Sequence, residues 1–115
     1  MRFDPVSYPD RPPVDAYGAG FFRVAGEVRP GPLLLLPTGL GAWGGLGDPA
    51  PLLAARVDVL LLGTGAAMAP PPKTLREALE AAGIPVEPMS TPSACRTYNV
   101  LLGEGRRVGL AALPV

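Results

Sequence analysis

A chain of 115 residues makes one domain and leaves no room for a second core. Ten basic and ten acidic residues cancel, no run of either sign occurs, and aromatics are few and dispersed, which excludes both the basic stripe and the stacking platform of a nucleic-acid binder. Hydrophobic residues make up 48% of the chain, so a packed globule is expected, while a single cysteine and no histidine rule out a disulfide framework and the usual metal ligands; no metal or other cofactor is expected.

Residues 1–16 hold four prolines among polar residues and predict an extended arm without the apolar centre of a signal peptide. Residues 17–115 then form a single α/β domain. Gly18-Ala19-Gly20 permits a turn before Phe21 to Ala25, where Phe22 and Val24 alternate with Arg23 as in a half-buried strand. A tight turn at Gly26-Glu27 returns the chain through Val28 and Arg29, giving an N-terminal antiparallel hairpin. After Pro30-Gly31-Pro32, Leu33 to Leu36 reads as a strand buried on both faces.

Asp48 followed by Pro49 predicts a side-chain cap and a first-turn proline, hence a short helix over 49–55. Val57 to Leu62 is a second buried strand that ends at Gly63-Thr64-Gly65. Leu75, Ala78, Leu79 and Ala82 recur at helical spacing from about Thr74, and Gly83 supplies a left-handed stop. Ile84 to Met89 is a short strand whose prolines place it near a sheet edge. Thr91-Pro92 again pairs a cap with a first-turn proline. The helix that follows aligns Ala94, Tyr98, Leu101 and Leu102 and stops at Gly103, and Arg107 to Leu113 is the last strand. This order predicts a central mixed β-sheet with later parallel strands and helices on both faces. The longest apolar stretch, Val57 to Met68, is broken by Asp58 and by Gly63-Thr64-Gly65, so no transmembrane segment is expected and the chain reads as cytoplasmic.

Gly63-Thr64-Gly65 follows a buried strand, where α/β proteins bind phosphates, but Met68 stands where a third glycine would complete a dinucleotide loop. The alternative is a plain backbone turn at the sheet's edge. Trp43, within a glycine-rich loop, is either a binding aromatic or a plug for the core, and the plug is favoured. Cys95 sits in the first turns of the helix after Thr91-Pro92, where free N–H groups and the helix dipole favour a thiolate or a bound anion. A nucleophilic cysteine commonly needs a basic partner such as histidine, so the bland reading is a buried apolar residue. Arg96 is the strongest ligand candidate because guanidinium binds anions bidentately. Thr97 and Asn99 lie beside it, and Tyr98 is expected to pack with its hydroxyl at the surface. Glu77 and Glu80 pair with Lys73 and Arg76 at i,i+4 and are solvating charges. No set of nucleophile, base and orienting group can be assembled, so no catalytic residue is assigned.

Tyr17 to Val24, Leu33 to Pro37 with Trp43, Leu60 to Gly65, Leu75-Arg76, Gly83-Ile84, Val86-Glu87, Met89, Ala94 to Leu101 and Glu104 to Val108 form one ordered series. In this combination the chain resembles the domain of unknown function 498 family, whose eukaryotic member is mitochondrial complex I assembly factor 3. The resemblance implies a compact α/β domain. It also implies a non-enzymatic interaction or assembly protein with a protein partner, linked to membrane-protein or respiratory-complex biogenesis. No mitochondrial-type leader is expected from residues 1–16, and the chain resembles the prokaryotic members more. The alternative is an anion- or small-molecule-binding protein or enzyme, with a site between Gly63, Thr64 and Gly65 and the helix start at Cys95 and Arg96. Both a monomer and a homodimer are compatible with the sequence.

Overall fold

Four leucines in succession cannot alternate between core and solvent, so Leu33–Leu36 requires apolar cover on both sides. The computed structural model, which describes residues 12–115, supplies it with two layers. A three-stranded antiparallel sheet is built from β1 (Val14–Gly18), β2 (Phe21–Val24) and β3 (Glu27–Pro30). A five-stranded mixed sheet is built from β4 (Leu33–Leu36), β5 (Gly39–Gly41), β6 (Val59–Gly63), β7 (Val86–Met89) and β8 (Val108–Ala112), in the order β5-β4-β8-β6-β7. Strands β6, β7 and β8 run parallel, while β4 pairs antiparallel with both β5 and β8. The helices are α1 (Ala50–Leu53), α2 (Lys73–Ala81) and α3 (Thr91–Gly103).

The pleat divides the apolar side chains of the central strands between the two faces of one sheet. Leu33, Leu35, Leu61, Val108, Leu110 and Ala112 face α3 and the small sheet, where they meet Phe22, Val24, Ala94, Cys95, Tyr98 and Leu102. Leu34, Leu60, Leu62 and Ala111 face the other way, onto Trp43, Leu52 of α1, and Leu75 and Leu79 of α2. Each leucine so buried contributes roughly 1.5–3 kcal/mol through removal from water. Helices therefore cover both faces, as the element order predicts.

Particular elements differ from the sequence reading. The predicted hairpin gains β1 as a third strand and forms a sheet of its own; β1 begins inside the segment read as an arm, and residues 1–11 of that arm lie outside the described residues. The hairpin turn is Ala25-Gly26, with φ of 52° and 79°, one residue earlier than predicted. Both values are positive, the two-residue geometry that matches strand twist. Strand β5 lies within what reads as a glycine-rich loop. It forms because it pairs with the open edge of β4.

Asp48 does not cap α1. Its carboxylate accepts from the Gly44 backbone N–H at 3.0 Å, and its carbonyl accepts from Trp43 Nε1 at 2.9 Å, so it organises the preceding loop instead. Trp43 is the core plug. α2 stops at Gly83 (φ 72°), where Ile84 N–H reaches the Leu79 carbonyl. α3 ends at Gly103, as predicted, and Gly105 (φ 78°) just beyond closes the end, with Arg106 N–H on Leu101 and Gly105 N–H on Leu102. Pro88 in β7 is tolerated because β7 is an edge strand.

Candidate functional site

The end of β6 and the start of α3 meet without a gap. Gly63 has no side chain because none fits: a Cβ there would lie 2.8 Å from Thr91 Oγ1 and 3.1 Å from Thr91 Cα. The Thr91 hydroxyl, fully buried, donates to the Leu113 carbonyl at 2.6 Å and accepts from Gly65 N–H at 3.0 Å. Thr91 N–H in turn donates to the Gly65 carbonyl at 2.7 Å. One residue thus ties together the ends of β6 and β8 and the first turn of α3. Thr64 braces the outgoing loop: its hydroxyl accepts from Ala69 N–H at 2.9 Å and lies 3.0 Å from the Ala67 carbonyl and 3.2 Å from that of Met89.

The cap of α3 is Ser90, one residue before the predicted cap, and its hydroxyl accepts from Ser93 N–H at 3.4 Å. Ala94 N–H donates to the Ser90 carbonyl, Thr91 N–H to Gly65, and Pro92 has no N–H. The chain itself therefore uses the backbone donors that make a helix start attractive to anions.

Cys95, Arg96 and Asn99 lie on the side of α3 that faces β1. There, with Asp15, Tyr17 and Pro92, they line an open cavity of about 210 Å³. Asn99 is committed: its Nδ2 donates to the Val14 carbonyl and its Oδ1 accepts from Val14 N–H, both at 2.9 Å. The amide replaces a strand neighbour for Val14 and clamps the small sheet to α3. Asp15, at an irregular step in β1, accepts from Gly26 N–H at 3.1 Å and holds the hairpin turn. Arg96 is exposed at the rim, and Thr97 is half-buried outside the cavity lining.

Cys95 is 3% exposed, and burial pushes its thiol up to about 11. At neutral pH it is a protonated, apolar side chain. Tyr98 is fully buried between α3 and the sheets, with no hydroxyl at the surface. Its ring fills the space between two β layers, which helical spacing alone does not reveal.

The structure thus separates the candidates. Gly63, Thr64 and Gly65 join α3 through Thr91, whereas Cys95, Arg96 and Asn99 meet β1. Thr91 is the residue that sequence reasoning missed, because the Thr-Pro pair reads locally as a cap. Among the described residues no cluster of histidine, cysteine or carboxylate side chains fits a metal ion, and no helix is long and apolar enough to cross a membrane.

Residues 14–113 match the family described as protein of unknown function (DUF498/DUF598). An uncharacterized protein of Rhodobacter capsulatus is 55% identical over 105 residues, covering 90% of this chain and 85% of its own. The human NADH dehydrogenase [ubiquinone] 1 alpha subcomplex assembly factor 3 is 33% identical over 110 residues, covering 88% of this chain; the match spans 60% of that protein's length. A crystal structure described as an outer membrane protein from Bartonella henselae superposes with a TM-score of 0.83 at 36% identity, covering 95% of this chain and 99% of that one. The chain belongs to the DUF498/DUF598 family.

Proposed function

We propose, from membership of this family, that the chain is a non-enzymatic assembly factor that acts in the cytoplasm on a protein partner of a membrane-associated respiratory complex. The observation that carries this reading is the 33% identity to a protein named as an NADH dehydrogenase assembly factor, over 88% of this chain. The chemistry of α3 supports it. Thr91 and Asn99 are spent on internal bonds, and the Cys95 thiol is buried and protonated. What these residues do is hold one surface in a fixed shape, which suits a binding partner more than a reacting substrate.

The test is genetic. The gene for the Rhodobacter capsulatus relative is deleted and this chain is supplied in its place. Native gels and NADH oxidation by isolated membranes then report assembled NADH dehydrogenase. Accumulated subassemblies in the deletion strain, cleared by this chain, are the expected result. Equal amounts of complete enzyme with and without the gene overturn it.

A second reading, a small-molecule site, is favoured by the cavity of about 210 Å³ beside Arg96. Thermal-shift screening with phosphorylated metabolites and carboxylates tests it. A shift that disappears in Arg96→Ala supports the site, and no shift for any compound removes it.

A further inference from the structure

The end of the five-stranded sheet opposite Gly63 carries a different cleft. It opens between the β4–β5 turn, the segment that joins α1 to β6, and the residue that leads into β8. Its volume is about 150 Å³, and its lining combines Leu36, Pro37, Thr38 and Ala55 with Arg56 and Arg107.

The two arginines are arranged unlike Arg29, Lys73 and Arg76. Arg29, Lys73 and Arg76 each face a glutamate within 4 Å. Among the described residues, neither Arg56 nor Arg107 has a carboxylate in that range. Arg107 instead donates through Nε and Nη2 to the Arg56 carbonyl, at 3.2 and 2.8 Å. That acceptor is neutral, so the guanidinium keeps its full charge while two bonds fix its plane. The Nε–Nη2 edge is taken by that carbonyl, and the Nη1–Nη2 edge that remains, held in a fixed plane, loses little freedom when a planar anion docks.

The rest of the lining selects the kind of anion. Leu36, Pro37 and Ala55 offer apolar wall, and Thr38 adds one hydroxyl. A cavity of this size accepts benzene in an engineered protein interior. A bare inorganic anion would leave the apolar wall wet, and an uncharged apolar molecule would leave the charges of Arg56 and Arg107 without a counter-charge.

We propose that this cleft binds a small organic carboxylate, its compact apolar body on Leu36, Pro37 and Ala55 and its carboxylate between Arg56 and Arg107. The site is independent of the assembly role and of α3.

Titration of the full chain with benzoate, followed by amide chemical shifts, tests the proposal against two controls, benzamide and inorganic phosphate. Saturable shifts at Thr38, Ala55, Arg56 and Arg107 are expected with benzoate, with both controls at least about tenfold weaker. Arg56→Gln keeps the backbone carbonyl that holds Arg107 and should weaken benzoate at least about tenfold while leaving the remaining spectrum in place. Arg23→Gln, on the exposed side of β2, should leave benzoate binding unchanged. Equal binding of benzoate and benzamide, phosphate as strong as benzoate, shifts centred elsewhere, or full affinity in Arg56→Gln would each overturn it.

Discussion

Replacing Thr91 with valine keeps the side-chain shape and deletes one oxygen. That oxygen serves Leu113 at 2.6 Å and Gly65 at 3.0 Å, so both backbone groups lose their partner at once. A buried polar group left unsatisfied costs about 1–3 kcal/mol. Gly65 and Leu113 are themselves only half-buried, which places each near the low end of that range and the pair at about 2–3 kcal/mol. For a domain of this size that corresponds to a drop in Tm of about 8–12 °C. Urea unfolding followed by fluorescence of the buried Trp43 gives the free energy directly, and hydrogen exchange at the Gly65 amide reports the local opening. Thr91→Ser keeps the hydroxyl and loses one methyl, at about 1 kcal/mol. The stability order should be parent, then serine, then valine. A valine variant within about 0.5 kcal/mol of the parent, or more stable than the serine variant, would refute the role assigned to this hydroxyl.

Gly63→Ala drives a methyl group to 2.8 Å from Thr91 Oγ1 and 3.0 Å from Ala112 Cβ, and should cost about 2 kcal/mol or more in the same urea assay. Ala25→Asn acts in the opposite sense: Ala25 sits at φ 52°, so the Asn-Gly pair preferred in this turn should raise stability by about 0.5–1 kcal/mol, read as a rise in Tm. Cys95 should resist iodoacetamide at pH 8 in the native state and react on unfolding, because burial holds its thiol protonated up to about 11. A folded-state value raised from 9.0 means that the unfolded chain loses the proton first. Stability should therefore fall as pH rises between about 9 and 11, a loss absent from Cys95→Ala when the two are compared by urea unfolding.

Much of the fold is legible because its central strands are apolar on both faces. Leu33 to Leu35 and Leu60 to Leu62 can be nothing but interior strands once flanking glycines and prolines limit their length. β5 is not legible, since Gly39-Leu40-Gly41 offers one apolar residue between two glycines and becomes a strand only beside β4. Asp48 carries the local pattern of a helix cap yet its carboxylate bonds backward to Gly44 N–H, in the loop whose Trp43 donates to the Asp48 carbonyl. The candidate site divides along the same line. Gly63 and the start of α3 are local patterns, whereas the partners of Thr91 stand 22 and 26 positions away in the chain and those of Asn99 stand 85 away. No periodicity records contacts of that range.

The strand order β5-β4-β8-β6-β7 has a consequence for how the molecule comes into being. The strand at the centre of the larger sheet is the last in chain order, so during synthesis it leaves the ribosome after all its neighbours. Until it arrives, β4 with β5 and β6 with β7 are two separate pairs with apolar edges and nothing between them. Insertion of β8 joins them and also supplies the Leu113 carbonyl that Thr91 requires. The nascent domain should thus stay unlocked, and open to chaperones, until its final segment emerges, and then close in a single cooperative step.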